Sequence, residues 1–269
     1  MTAHPQAMND PAHWDSLAQR YADEADRMTR MYCEAAWQLA DLPQGTRVLD
    51  VATGAGALLS IALKNDADAI GIDFSSGMVR VAQERAAAIR PGDRALVMDG
   101  QALDFADASF DAAFSMFGVF MFPDPTAGFA EIARVLRPGG LAVIAVWENA
   151  GGAGPAILFQ EAARRLFPDR PVPTPMARLF NSSALLEQAF RQVGLEPQAV
   201  HSVERAWPAP PVEWFRDNAK LAFGWSPLWR DLDDEQRAAF AEEAAALALN
   251  LPPEGIWSTA LIGMARKPL

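Results

Sequence analysis

Cysteine is almost absent from this sequence: Cys33 is the only one in 269 residues. An intrachain disulfide framework is therefore impossible, and no cysteine-based zinc site can be assembled within the chain. Histidine is nearly as scarce, and His4, His13 and His201 show no metal-ligand spacing, so no metal is expected. Positive charge is in deficit, with 23 Lys and Arg against 34 Asp and Glu and a formal net charge of −11. Proteins that grip nucleic acid normally present a basic face, so no nucleic-acid partner is expected. Long apolar runs are missing too. The longest, Ala112 to Phe122, falls far short of the ~20 residues that span a bilayer, so no membrane partner is expected. The N-terminus shows neither the basic start nor the apolar run of a signal peptide. These absences lead to the expectation of a soluble, cytoplasmic protein, while oligomeric state leaves no mark on the sequence.

What is present is a 51% hydrophobic composition with eight tryptophans, enough for one sizeable core or a core plus a cap. Trp14, Leu17, Tyr21, Ala25, Met28, Tyr32, Ala35 and Leu39 fall on one helical stripe, stopped by Pro43, Gln44 and Gly45. From Arg47 short apolar runs alternate with helical patterns. Strands are expected at Arg47–Val51, Ala69–Asp73, Arg94–Asp99, Phe110–Phe117 and, after the turn Arg137-Pro-Gly-Gly140, at Leu141–Trp147. Helices are expected at Leu58–Lys64, Ser76–Arg90 and Ala127–Leu136. Such alternation implies a parallel sheet covered by helices on both faces. Beyond Trp147 the regularity fails: a Gly/Ala stretch (Asn149 to Pro155), a helix around Ala156–Leu166, a proline-rich loop through Pro175 and a helix over Ser182–Val193. Two late strands, Ala199–Ala206 and Ile256–Ala265, flank a helical insertion at about Pro211–Leu249.

The sharpest chemical signal is the loop in VLDVATGAG after the first strand. Gly54 and Gly56 let backbone approach a ligand at the carboxyl end of a strand, where open α/β sheets bind ligands. Asp73 ends the second strand, where a carboxylate can accept hydrogen bonds from both hydroxyls of a ribose. A nicotinamide dinucleotide fits those features as well, and two residues separate the readings. Leu59 stands where G-x-G-x-x-G has its third glycine, which suits close helix–strand packing poorly. Asp50 stands at the mouth of the loop, where a carboxylate opposes a pyrophosphate but suits a cationic ammonium and sulfonium. The balance favours S-adenosylmethionine.

VLDVATGAG resembles the first motif of class I S-adenosylmethionine-dependent methyltransferases, particularly the small-molecule group that includes quinone-biosynthesis enzymes. The similarity continues through GIDFSSGMVRVA, MDGQALDFADASFDAAFS, FGVFMFPDP and EIARVLRPGGLAVIAVW, covering Arg47 to Trp147. Ala52 departs from it, since the family more often has glycine there. The resemblance implies that Asp50 and the backbone of Ala52, Gly54 and Gly56 hold the methionine part of the cofactor. It implies that Asp73 binds the ribose and that Phe74 and Met78 pack on the adenine, although both would serve equally as core. It implies that Asp99 accepts a hydrogen bond from the adenine amino group beside Gly100, with the backbone of Gln101 or Ala102 at the ring edge. Met116 would lie near the sulfonium and the acceptor.

The expected fold class is α/β, a Rossmann-like seven-stranded, mostly parallel sheet with helices on both faces and a helical lid. One methyltransferase domain would fill residues 1–269: an N-terminal helical lid (1–45), a cofactor-binding core (46–148), and a C-terminal part (149–269) carrying the substrate cap at about 211–249. Trp14, Tyr21, Phe117 and Trp214 are candidates for an apolar acceptor pocket, with Trp225 and Trp229 beside them, although each aromatic of the flanks could instead hold the cap together. His201 reads as structural. The reaction implied is in-line transfer of methyl to an oxygen, nitrogen or carbon of a small, uncharged or apolar metabolite, leaving S-adenosylhomocysteine. Alignment and exclusion of water would carry it, and the sequence singles out no catalytic base. An NAD-dependent oxidoreductase and a non-catalytic S-adenosylmethionine-binding protein are the alternatives.

Overall fold

Short aliphatic runs separated by helical patterns fold into a single seven-stranded sheet. The computed structural model describes residues 9–148, 154–172, 180–224 and 226–269, so Trp225 and parts of the Gly/Ala and proline-rich stretches lie outside the described residues. The strands are β1 (Arg47–Val51), β2 (Asp68–Asp73), β3 (Ala95–Val97), β4 (Phe110–Met116), β5 (Leu136–Trp147), β6 (Glu196–Trp207) and β7 (Ile256–Arg266), in the order β3-β2-β1-β4-β5-β7-β6. Neighbours from β3 to β5 pair in parallel, and β7 runs antiparallel to both β5 and β6. Val48, Leu49, Asp50 and Val51 are all buried. Successive residues of a strand face opposite sides, so β1 is covered on both faces, as the adjacent apolar pair Val48 and Leu49 requires. The chain leaves β1 for β2 and β3 on one side and for β4 on the other, which opens a crevice at the carboxyl end of β1.

The N-terminal stripe is one helical run in three parts. Asp10 caps α1 (Pro11–Arg20), a π turn occupies Tyr21–Ala25, and α2 (Asp26–Ala40) follows. α3 (Ala57–Lys64), α4 (Ser76–Ala87) and α5 (Pro125–Val135) connect the parallel strands. The third strand is shorter than its apolar pattern suggested, so Asp99 lies two residues beyond it in a loop. The expected turn Arg137–Gly140 is instead a bulge inside β5: Leu136 still pairs with Phe110, and pairing resumes at Leu141 with Ala112.

α6 (Ala156–Leu166) and α7 (Ser183–Gln192) precede β6. The insertion between β6 and β7 holds α8 (Val212–Asp217), α9 (Ala219–Phe223), α10 (Pro227–Asp231) and α11 (Asp234–Ala248). The last of these starts at a capping box formed by Asp233 and Gln236. With α6 these helices enclose a second hydrophobic core around Phe159, Trp214, Phe215, Phe223 and Phe240, separate from the core of the sheet. Among the described residues, no helix is long and apolar enough to cross a membrane, and no cluster of His, Cys, Asp and Glu could hold a metal ion.

Candidate functional site

The loop from β1 to α3 is held by its own backbone and by two carboxylates. Thr53 N donates to Ile72 O (2.8 Å) and Gly56 N to Thr53 O (2.9 Å), tying the turn to β2. Gly56 has a positive φ of 82° and lies against α4, where a Cβ would stand 3.0 Å from that of Ala82. A side chain is thus excluded both by backbone conformation and by the neighbouring helix. Asp73 Oδ2 accepts from Gly54 N (3.0 Å) and its Oδ1 from Ser75 N (3.0 Å). Asp50 Oδ2 accepts from Thr53 Oγ1 (2.6 Å) and from Leu59 N in the first turn of α3 (3.1 Å). Its Oδ1 takes no hydrogen bond among the described residues. Asp50 is 1% exposed, and burial pushes its carboxyl up to about 7 against the pull of those donors, with the charges of Asp73 and Asp26 adding to the rise. Burial likewise raises Asp73 to about 6, opposed by the N–H groups of Ser75, Gly54 and Phe74.

Two adjoining cavities meet at this loop, sharing Tyr21, Ala52, Gly54 and Met116. The first collects Asp73, Phe74, Met78, Asp99, Gly100 and Gln101 from the ends of β2 and β3, with Trp14 and Phe117. Gln101 donates from its N (2.9 Å) and Nε2 (3.0 Å) to Asp99 Oδ1, leaving Asp99 Oδ2 open. The second cavity is polar, lined by Asp26, Thr29, Cys33, Asp50 and Thr53. Asp26 accepts from Arg85 NH1 of α4 (2.7 Å); NH1 also donates to Ala55 O and NH2 to Ala22 O, which fastens the π turn to the loop. Tyr21 stands over Gly54, its Cε1 3.8 Å from where a Cβ would be. Burial, with Asp26 close by, pushes its phenol well up. The Cys33 thiol is also buried and raised by burial, which leaves it a packing group.

Of the expected cofactor contacts, one lies deeper than expected and two line neither cavity. Asp50 is drawn beneath the loop rather than standing at its mouth, and reaches only the second cavity. Gly56 faces α4, and Ala102 is exposed outside both cavities. Among the acceptor candidates, Trp214 belongs to the second core, edge-on to Trp207, with Nε1 donating to Glu24 Oε2 (2.6 Å). Trp229 also packs there, against Phe240. Phe117 lines the first cavity in a left-handed conformation (φ 62°), stacked on Trp147 at 3.9 Å, with Tyr32 meeting both rings edge-on. A bulky residue held at positive φ is strained, and its surroundings must supply the compensation. The sequence reading missed Asn9, Met98, Gly118, Met121 and Phe122 as cavity residues. The segment FGVFMFPDP was a visible signal for the last three, whereas Asn9 precedes the helical stripe and carries no local pattern.

The arrangement selects against a pyrophosphate. A nucleotide phosphate needs free N–H groups at the loop and helix N-terminus, but here Gly54 N and Leu59 N already donate to carboxylates of the chain itself. What the site offers instead is carboxylate oxygen toward a cation and toward hydroxyl groups, beside an apolar slot of Phe74, Met78 and Met98.

Comparison with known proteins agrees with this chemistry. A sequence-family profile described as "Methyltransferase domain" matches residues 49–144. The demethylmenaquinone methyltransferase of Corynebacterium kroppenstedtii is 35% identical over 132 residues, covering 47% of this chain and 55% of the relative. That of Corynebacterium glutamicum is 30% identical over 207 residues, covering 76% of this chain and 78% of the relative. The first four curated relatives are each matched over only 55–58% of their own length. Among solved structures, the phosphoethanolamine N-methyltransferase 2 of Haemonchus contortus, in complex with phosphomonomethylethanolamine and S-adenosylhomocysteine, superposes with a TM-score of 0.53 at 18% identity. That match covers 88% of this chain and 52% of the other, a likeness of fold.

Proposed function

The chain belongs to the class I S-adenosylmethionine-dependent methyltransferases, and from that premise we propose that it transfers a methyl group to a small, uncharged or apolar metabolite. The observation that carries the cofactor half of this reading is the placement of Asp50 and Asp73 on either side of one glycine-containing loop, with Gly54 N turned onto Asp73 and the Thr53 hydroxyl and Leu59 N turned onto Asp50. When bound, S-adenosylmethionine supplies an electrophilic methyl on a cationic sulfur and leaves as S-adenosylhomocysteine.

The residues of the chain bind, orient and exclude water. Asp73 accepts from the ribose hydroxyls, Asp99 Oδ2 from the adenine amine, and Asp50 Oδ1 faces the ammonium of the amino-acid end. Ala52, Gly54, Phe74, Met78, Gly100, Gln101 and Met116 complete the wall. Tyr21 covers the loop and keeps bulk water from it. Trp14 and Phe117 are the cavity residues assigned to the acceptor, with Trp147 and Tyr32 fixing the Phe117 ring. An apolar acceptor is supported by these aromatic walls and by the names of relatives that act on demethylmenaquinone. In-line displacement at a sulfonium rests mainly on alignment, so no general base is assigned.

Titration with S-adenosylhomocysteine and with NAD tests the first half: binding of the former alone is expected, and binding of NAD alone overturns the reading. Turnover of a methyl-labelled cofactor across a panel of quinones, phenols and small amines tests the second. Cofactor binding without any methylated product across that panel would leave a binding protein rather than an enzyme.

A further inference from the structure

Asn9 sits one residue ahead of Asp10, the cap of α1, and lines the first cavity together with Trp14, Asp73 and Asp99. Its Oδ1 is closed off from solvent and accepts no hydrogen bond among the described residues. A buried amide oxygen without a partner destabilises the folded chain relative to an apolar group of the same shape, so an orphan on a residue of the cavity wall calls for a donor, which a bound ligand can bring. The position of Asn9 is fixed from α1. Asp15 accepts from Ser75 Oγ (2.6 Å) and Gly77 N (2.7 Å), which joins α1 to the turn that follows Asp73. Asn9 is absent from the lining of the second cavity, where Asp26 and Asp50 lie. It therefore belongs to the side of the site that holds the ribose and base carboxylates.

We propose that Asn9 is a cofactor-binding residue whose Oδ1 accepts a hydrogen bond from an O–H or N–H of the nucleoside half of S-adenosylmethionine. This rests on the reading that the cavity holds that cofactor. The nucleoside is then gripped both by the strand-end carboxylates and by Asn9, just ahead of α1.

The test uses the whole chain, with Asn9→Leu, close in shape and without the amide, and Asn9→Ala as a second variant in case the first disturbs packing. Each is titrated with S-adenosylhomocysteine and with 5′-methylthioadenosine, which keeps the nucleoside and lacks the amino acid. Failure of the unsubstituted protein to bind S-adenosylhomocysteine overturns the cofactor reading and this proposal with it. Given that binding, both variants are expected to lose affinity for both probes by the same factor, roughly tenfold, the equivalent of one hydrogen bond. Their ligand-free melting temperature should stay level or rise, because the orphan is gone. Unchanged affinity for the probes, or a loss confined to S-adenosylhomocysteine, overturns the assignment to the nucleoside. A matching fall in ligand-free melting temperature assigns Asn9 a structural role instead.

Discussion

Asp50 and Asp73 are carboxylates held inside the protein at about 7 and about 6, well above the ordinary range, because burial opposes their charged forms more than the loop's donors favour them. The folded, ligand-free protein therefore retains protons that the unfolded chain has lost, and this contribution to stability is present below about pH 4 and is lost as pH rises through 6 to 7. Asp50→Asn removes the dependence, so its stability relative to the unsubstituted protein should climb between pH 5 and pH 8 in paired thermal melts; a flat difference would place Asp50 outside the titration. A cofactor bringing an ammonium to Asp50 and hydroxyls to Asp73 favours both charged forms. Binding of S-adenosylhomocysteine should therefore tighten from pH 5 to pH 8 and release protons near pH 6.5, read by calorimetry in buffers of different ionisation enthalpy. Proton uptake at that pH would contradict the assignment. Asp73→Asn, which keeps the size of the side chain, should weaken that binding about 10- to 100-fold, since charge-assisted hydrogen bonds contribute about 1.5–3 kcal/mol each. Unaltered affinity would move the ribose elsewhere.

One pair of neighbouring elements explains a departure visible in the sequence. Ala52 adopts φ 57° at the end of β1, a conformation that costs a residue with a Cβ about 1–2 kcal/mol. Its methyl group lies against Gly118, after β4, where an added Cβ would collide with it. The contact has no room for a Cβ on both sides, and in this chain the glycine stands at 118, opposite Ala52. Gly118→Ala alone should lower both the melting temperature and the affinity for S-adenosylhomocysteine. Adding Ala52→Gly should recover most of the loss, giving a coupling of more than about 1 kcal/mol in the double-substitution cycle. Additive effects would mean that the two loops accommodate the methyl groups separately. The elements themselves were largely legible, because helix and strand periodicities are local. β3 and the Arg137–Gly140 bulge were misjudged because strand length and register depend on what the neighbouring strand offers.

At the scale of the whole molecule, two cores divide the work. The sheet core, with a small cluster of Ala18, Ala22, Ala55, Met78 and Val81 beside it, carries the loop and both cavities, while the insertion and α6 enclose their own aromatic core, with Trp214 bonded across to Glu24 of the π turn. Phe240 is fully buried in the second core against Phe159, Phe223 and Trp229. Phe240→Ala should cost about 3–5 kcal/mol there. Hydrogen-exchange protection should fall across α8 to α11, while S-adenosylhomocysteine affinity changes less than about threefold. A large loss of cofactor affinity would show that the two cores act as one.

The sequence by itself determined the alternation of strands and helices, the loop after the first strand and the carboxylates at successive strand ends. These are local properties, written in periodicity and in residues that end a strand. Only the tertiary structure decided which way each of those side chains turns. It drew Asp50 under the loop, because Thr53 and Leu59 supply donors there, and it buried Trp214 among aromatics of its own insertion. It also brought Asn9 to the cavity through Asp15, across sixty residues of chain to Ser75. Contacts between segments so distant follow from how the layers pack, which no window of the sequence contains.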